Sequence, residues 1–239
     1  MSARRFLAVA VWGLAILSPA SGRAQRVAYA ANAITELDSA TQAVVIRELD
    51  RARSRGLPVQ PLVAKVREGQ VKRAAPDRIR IAVFALAARL DSARSALGPT
   101  SNAAEIVAGA DAIAAGVAMP TLRTLRAASG ARDLSAPLGA LAQLVASGVP
   151  SARATQMILE LLKRDAGPRE LLAFGIAVET DVGAGVPAEE SAVFRLRAIE
   201  SQGIGADRLT VAAPVGDPTA LGLSSRPGGT TTRGAKRRP

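Results

Sequence analysis

An all-α fold is what the sequence predicts, and three observations predict it. Alanine and leucine are abundant while aromatic residues make up 3% of the chain. Helices suit that mix better than sheets, which favour β-branched and aromatic residues. Apolar residues recur at helical spacing through the middle of the chain. A short joint recurs between those segments, as Gly56-Leu57-Pro58, Gly148-Val149-Pro150 and Gly185-Val186-Pro187, with a looser copy at Gly116-Val117-Ala118-Met119-Pro120. Glycine accommodates the left-handed turn that closes a helix, and proline fits the first turn of the next. The expected architecture is a stack of helical hairpins, either an α-solenoid-like array or an irregular helical bundle. The glycines at 116, 148 and 185 are 32 and 37 residues apart, the period of a repeated helix pair.

A leader comes first. Arg4 and Arg5 precede an apolar run over 6–17, and small residues follow up to Ala24. Residues 1–24 read as a cleaved signal peptide. The run is shorter than the ~20 residues that span a bilayer. The body is expected over 25–203, and its destination is the periplasm or exterior of a bacterial cell.

The first helix is expected over 30–55, with Ile34, Leu37, Val44, Val45 and Leu49 on one face. A second, from Pro58 to about Val71, turns Leu62, Val63 and Val66 inward. Asp77 stands near the start of a long helix, where its charge suits the dipole. That helix carries Ile79, Val83, Leu86 and Leu90 and stops at Gly98-Pro99. Ser101 or Asn102 caps the next helix with Glu105 in its first turn, and Ile106, Ala110 and Ile113 form its face. A short helix over 119–128 buries Leu122 and Leu125. Asp133 opens another, with Leu134, Leu138, Leu141 and Val145 aligned. Residues 151–165 carry Ile158, Leu161 and Leu162. After Gly167-Pro168 comes a helix with Leu171, Phe174, Val178 and Val182. Pro187 opens the last, with Val193, Phe194 and Ile199 apolar. Phe84, Phe174 and Phe194 fall on or beside apolar stripes and are expected in the core. Residues 204–239 are rich in Gly, Pro, Ser and Thr, lack periodicity and end Lys236-Arg237-Arg238-Pro239, which reads as a disordered basic tail.

Composition removes much chemistry. The chain has no cysteine and no histidine. Disulfides, thiolate nucleophiles, sulfur-bound zinc and a Ser-His-Asp triad are all excluded. No cofactor or metal is expected. Glu179, Asp181, Glu189 and Glu190 read as solvated or capping carboxylates. A carboxylate enzyme, or a serine–lysine enzyme using Lys65, Lys72 or Lys163, remains as an alternative to a non-catalytic protein.

The net charge is +11. Arg4, Arg5 and Arg23 belong to the leader, and six basic residues against two acidic lie in the tail, so the body is only weakly basic. Arg47, Arg51 and Arg55 nevertheless stripe one helix face at i, i+4 and i+8, and Lys72 and Arg73 follow in the next hairpin. These five are the candidate anion-binding residues. Glu48, Asp50, Glu68 and Asp77 lie among them and can pair locally. The leading expectation is an exported, non-catalytic helical protein that binds another protein or itself, as an interaction or scaffold module. The alternative is binding of an anionic polymer or membrane surface through the arginines and the tail.

Overall fold

The computed structural model describes residues 37–202. Among them are nine α-helices and no strand: α1 Ser39–Ser54, α2 Gln60–Val71, α3 Pro76–Leu97, α4 Ala103–Ala114, α5 Met119–Ser129, α6 Ser135–Ala146, α7 Ser151–Lys163, α8 Pro168–Gly183 and α9 Ala188–Gln202. The expected leader and tail, and the expected helical stretch before residue 37, lie outside the described residues. No described helix is long and apolar enough to cross a membrane.

Three copies of the recurrent joint share one backbone geometry. At Gly116, Gly148 and Gly185 φ is strongly positive. Each glycine N–H donates to the carbonyl three residues back, and the following valine N–H donates to the carbonyl five back: Val117 to Ala112, Val149 to Leu144 and Val186 to Asp181. This double closure satisfies carbonyls that the end of a helix leaves open. Val117 and Val149 then bury fully in the corner. The same closure is made without glycine at Arg73 (φ 50) and Asp165 (φ 58), followed by Ala74 and Ala166.

Starts are set by side chains. Asp38 accepts the Thr41 N–H at 2.9 Å and begins α1 there. Asn102 and Glu105 form a reciprocal capping box on α4, as the spacing predicts. Two expected starts move. The second helix begins at Gln60 and places Pro61, rather than Pro58, in its first turn. The helix expected from Asp133 begins at Ser135, because the Asp133 carboxylate accepts the Ser135 N–H from outside the helix.

The chain forms two compact units. The first comprises residues 37–55 and 59–85: α1, α2 and the first part of α3. Val45, Leu49, Ala52, Leu62, Val63, Val66, Ile79 and Val83 are its buried apolar residues. Gly69 lets α2 approach α3, since a Cβ there would lie 2.7 Å from Ile79 Cγ1. Arg80 Nη1 donates to buried Thr41 Oγ1 at 3.0 Å and so ties α3 to the start of α1.

The second unit comprises residues 56–58 and 86–202. Here α4 packs on α6, α6 on α8, and α5 on α7, while α6–α7 and α8–α9 pack as hairpins. Packing of alternate helices is that of stacked hairpins, in which each pair buries its apolar face against its neighbours. Leu122, Leu125, Leu134, Leu138, Leu141, Leu144, Met157, Ile158, Leu161, Phe174 and Val178 are wholly buried.

One expectation about the core fails for Phe84. Phe174 is fully buried and Phe194 is half-buried, but Phe84 is 41% exposed. It stands beside Val83 in sequence and therefore about 100° away on the helix, off the stripe that Ile79 and Val83 bury.

Candidate functional site

The five candidate anion-binding residues lie in the first unit, all on its surface. α1 presents Arg47, Arg51 and Arg55, and Lys72 and Arg73 close α2. Arg51 pairs with Glu48, whose side chain is nearly buried. Lys72 Nζ lies 2.6 Å from Glu68, which Lys65 also contacts at 2.5 Å. Hydrogen bonds from these two ammonium groups hold the Glu68 carboxyl at about 2. Two of the five thus meet a carboxylate on their own helix. Arg47 and Arg73 are exposed and make no ion pair among the described residues.

The first unit also exposes apolar side chains. On α3, Ile81 is 67% and Phe84 41% exposed, and Ala85 beside them is exposed. At i, i+3 and i+4 these share one helix face. It is the face opposite Ile79 and Val83. Val71, at the end of α2, is 83% exposed.

Two grooves open in the second unit. One, of about 550 Å³, runs between the end of α5 and the last turns of α7, and Ser129, Gly130, Arg132, Leu159, Leu162, Lys163 and Asp165 line it. The other, of about 330 Å³, shares Arg132, Leu162 and Asp165 and continues to Pro137, Pro168 and Leu171. The Arg132 guanidinium stands at the boundary. It donates to Asp165 Oδ1 at 2.6 Å and to the Leu162 carbonyl at 3.4 Å. Ser129 Oγ is buried with no hydrogen-bond partner. Lys163 lines the same groove, but without a bond to Ser129 the pair is not assembled as nucleophile and base.

The wall of the first groove is braced from below. Buried Glu105 accepts from Arg126 Nη2, from the Leu134 N–H at 2.9 Å and from the Asn102 N–H at 2.9 Å. Burial alone would raise its pKa, but Arg126 and the two backbone donors together hold it below the usual carboxylate range. Arg126 Nη1 in turn donates to the carbonyls of Gly130 and Arg132. The turn that carries Arg132 is therefore fixed through two steps to the start of α4.

One sequence expectation about the carboxylates is overturned. Asp181, read as solvated or capping, is 0% exposed. Arg195 grips it with a fork, Nε to Oδ2 at 2.9 Å and Nη2 to Oδ1 at 2.7 Å, and Ser191 Oγ donates to Oδ2 at 2.6 Å. Burial works to raise this pKa, and the Arg195 and Ser191 hydrogen bonds outweigh it and lower it. A bidentate fork with a third donor leaves little acceptor capacity, so this is a clamp between α8 and α9, not an acid or base open to substrate. Glu179 is exposed and accepts from Gln143 Nε2 at 2.6 Å, while Glu189 and Glu190 are exposed in the first turn of α9. No cluster of three or more metal-ligating side chains occurs among the described residues.

The groove was not legible as a site in the sequence. Arg132 and Asp165 are 33 positions apart, and neither belongs to a motif. The usable signal was Asp165 itself, standing where other joints carry glycine. Comparison with known proteins finds no matching family model, no matching curated protein and no matching solved structure.

Proposed function

We propose that the protein is an exported, non-catalytic helical module that binds another protein, or a second copy of itself, through the outer face of α3 in the first unit. The observation that carries this reading is a helix segment apolar on two sides. Ile79 and Val83 enter the core, while Ile81 and Phe84 face solvent at 67% and 41% exposure. A helix apolar all round is normally covered on all sides. An isoleucine and a phenylalanine one turn apart match the anchors with which helices dock partners. The absence of histidine and cysteine supports a non-catalytic role. The leader pattern over 1–24 supports export.

The test is retention of partners from a periplasmic extract, together with light scattering of the purified protein. The expected result is a saturable partner or a dimer, lost in the double variant Ile81→Asp, Phe84→Ser with helicity unchanged. A monomer that retains nothing, or a complex indifferent to the double variant, overturns the reading.

A second reading is favoured by the exposed guanidinium groups of Arg47 and Arg73, which make no ion pair among the described residues. It is binding of an anionic polymer or membrane surface. Such binding weakens steeply between ~50 and ~200 mM salt. Salt-independent binding, or none, removes it.

A further inference from the structure

The groove of about 550 Å³ in the second unit holds more charge than its own pairs use. Lys163, the last residue of α7, lines it and makes no ion pair among the described residues. Arg132 is balanced by Asp165, so the groove keeps one positive charge. Leu159 and Leu162 add an apolar floor. We propose that this groove binds a short aliphatic monocarboxylate. The carboxylate bridges Lys163 Nζ and the Arg132 guanidinium, and the chain lies on Leu159 and Leu162.

Three physical points support the choice. The volume lies within the range of small-molecule sites, roughly 300–1,000 Å³. The Arg132 wall is fixed in advance by the Glu105–Arg126 link, which reduces the ordering that binding requires. The Arg132–Asp165 pair is exposed, at 58% and 78% for the two side chains. Exposed pairs contribute little, so a ligand carboxylate can replace that of Asp165 on the guanidinium. The fork geometry of arginine suits a carboxylate. The single unpaired ammonium, set against the negative ends of α5 and α7, suits a monoanion rather than a dianion. The carboxylate can be that of a free short-chain acid or the C-terminus of a peptide ending in an aliphatic residue.

The test is titration of the isotope-labelled full-length protein, followed by amide shifts at Gly130, Arg132 and Lys163. The probes are hexanoate, N-acetyl-leucine, hexanamide and inorganic phosphate. Hexanoate or N-acetyl-leucine is expected to saturate these shifts, the tighter of the two marking the source. Hexanamide should bind about tenfold more weakly, because the charge-assisted bonds are lost. Lys163→Gln, at an exposed position, should weaken the acid about fivefold or more. Asp165→Asn should instead tighten it, since Asp165 competes for Arg132. A structural role for Asp165 does not predict that sign. Equal binding of acid and amide, phosphate tighter than both acids, unchanged affinity in Lys163→Gln, or no saturable shift overturns the proposal.

Discussion

Five ion pairs of the first unit join residues three or four positions apart on one helix: Arg51–Glu48, Arg53–Asp50, Lys65–Glu68, Lys72–Glu68 and Arg80–Asp77. In the second unit Arg164–Glu160 is of the same kind, but Arg126–Glu105, Arg132–Asp165, Arg153–Glu189, Arg164–Glu200 and Arg195–Asp181 join different elements. The first kind supports a helix wherever that helix goes, by a few tenths of a kcal/mol per pair. Of the second kind, the largely buried Arg126–Glu105 and Arg195–Asp181 pairs fix which helices meet, and the exposed ones add little. Apolar exposure differs in the same sense. The first unit leaves Ile46, Val71, Ile81 and Phe84 exposed, and the second leaves Leu172 and Ile176. The second unit is thus the more tightly specified, and the first leaves more apolar side chains exposed.

The sharpest way to break that contrast is to remove one carboxylate from each unit. Asp181→Ala takes the counter-charge from a guanidinium that is 3% exposed. Breaking a buried pair from one side costs about 3–5 kcal/mol. Glu68→Gln, which removes a carboxylate shared by two helical pairs, should lower the denaturation midpoint only slightly, by less than about 1 kcal/mol of stability. Urea unfolding of both variants measures the difference, and equal midpoints would remove the distinction between the units.

Acid should probe the buried carboxylates of the second unit. Asp181 and Glu105 both have folded pKa values below their ordinary 3.8 and 4.5. A depressed carboxylate contributes stability that is complete above the unfolded pKa and lost as pH falls through the folded one. Stability should therefore hold from neutral pH down to about pH 5 and fall below about pH 4. Asp181→Asn should flatten part of that fall. A fall centred near pH 6 to 7 would point to other groups.

What could be read in the sequence was what neighbours in sequence decide. The Asn102–Glu105 box, the glycine joints and the buried stripes of α3, α7 and α8 all follow from spacings of three to five residues. The Asp181 clamp joins residues 10 and 14 apart, and the sequence carries a signal for it. Asp181 lies seven after Phe174 and three after Val178, on the buried stripe itself, and Arg195 lies between buried Ala192 and Ile199 in the same way. A charge on an apolar stripe asks for a buried partner. Phe84 misled in the opposite direction, because hydrophobicity alone does not say which side of a helix is covered. The groove was out of reach, since its walls come from turns that only packing brings together.

Two glycines inside helices sharpen the comparison at a smaller scale. Exchange to alanine favours a helix by up to about 1 kcal/mol. At Gly69 in the first unit the new Cβ would lie 2.7 Å from Cγ1 of buried Ile79, and overpacking of that kind costs about 1–3 kcal/mol. Gly69→Ala should therefore destabilise. At Gly139 in the second unit the nearest side-chain atom is Leu172 Cδ2 at 3.7 Å. Gly139→Ala should stabilise by about 0.5–1 kcal/mol. Thermal midpoints of the two variants should move in opposite directions, and a gain at Gly69 would mean that α2 and α3 are less closely packed there.

The smallest expected effect concerns the joints closed without glycine. Arg73 holds a φ of 50, in the region that costs an ordinary side chain about 1–2 kcal/mol. Arg73→Gly relieves that cost and regains part of it as unfolded-chain entropy, about 0.4–1 kcal/mol. A net gain of a few tenths of a kcal/mol is expected, read as a small rise in midpoint. Asp165→Gly should gain less, because aspartate tolerates this conformation better and its contact with Arg132 is lost. A strained arginine on the surface, without an ion pair among the described residues, is a reason to look for a second use of its charge. Polyanion binding that falls in Arg73→Gly while the midpoint rises would supply one. If the midpoint rises and binding stays the same, the arginine is a cost that the joint tolerates, and anion binding rests on the other basic residues.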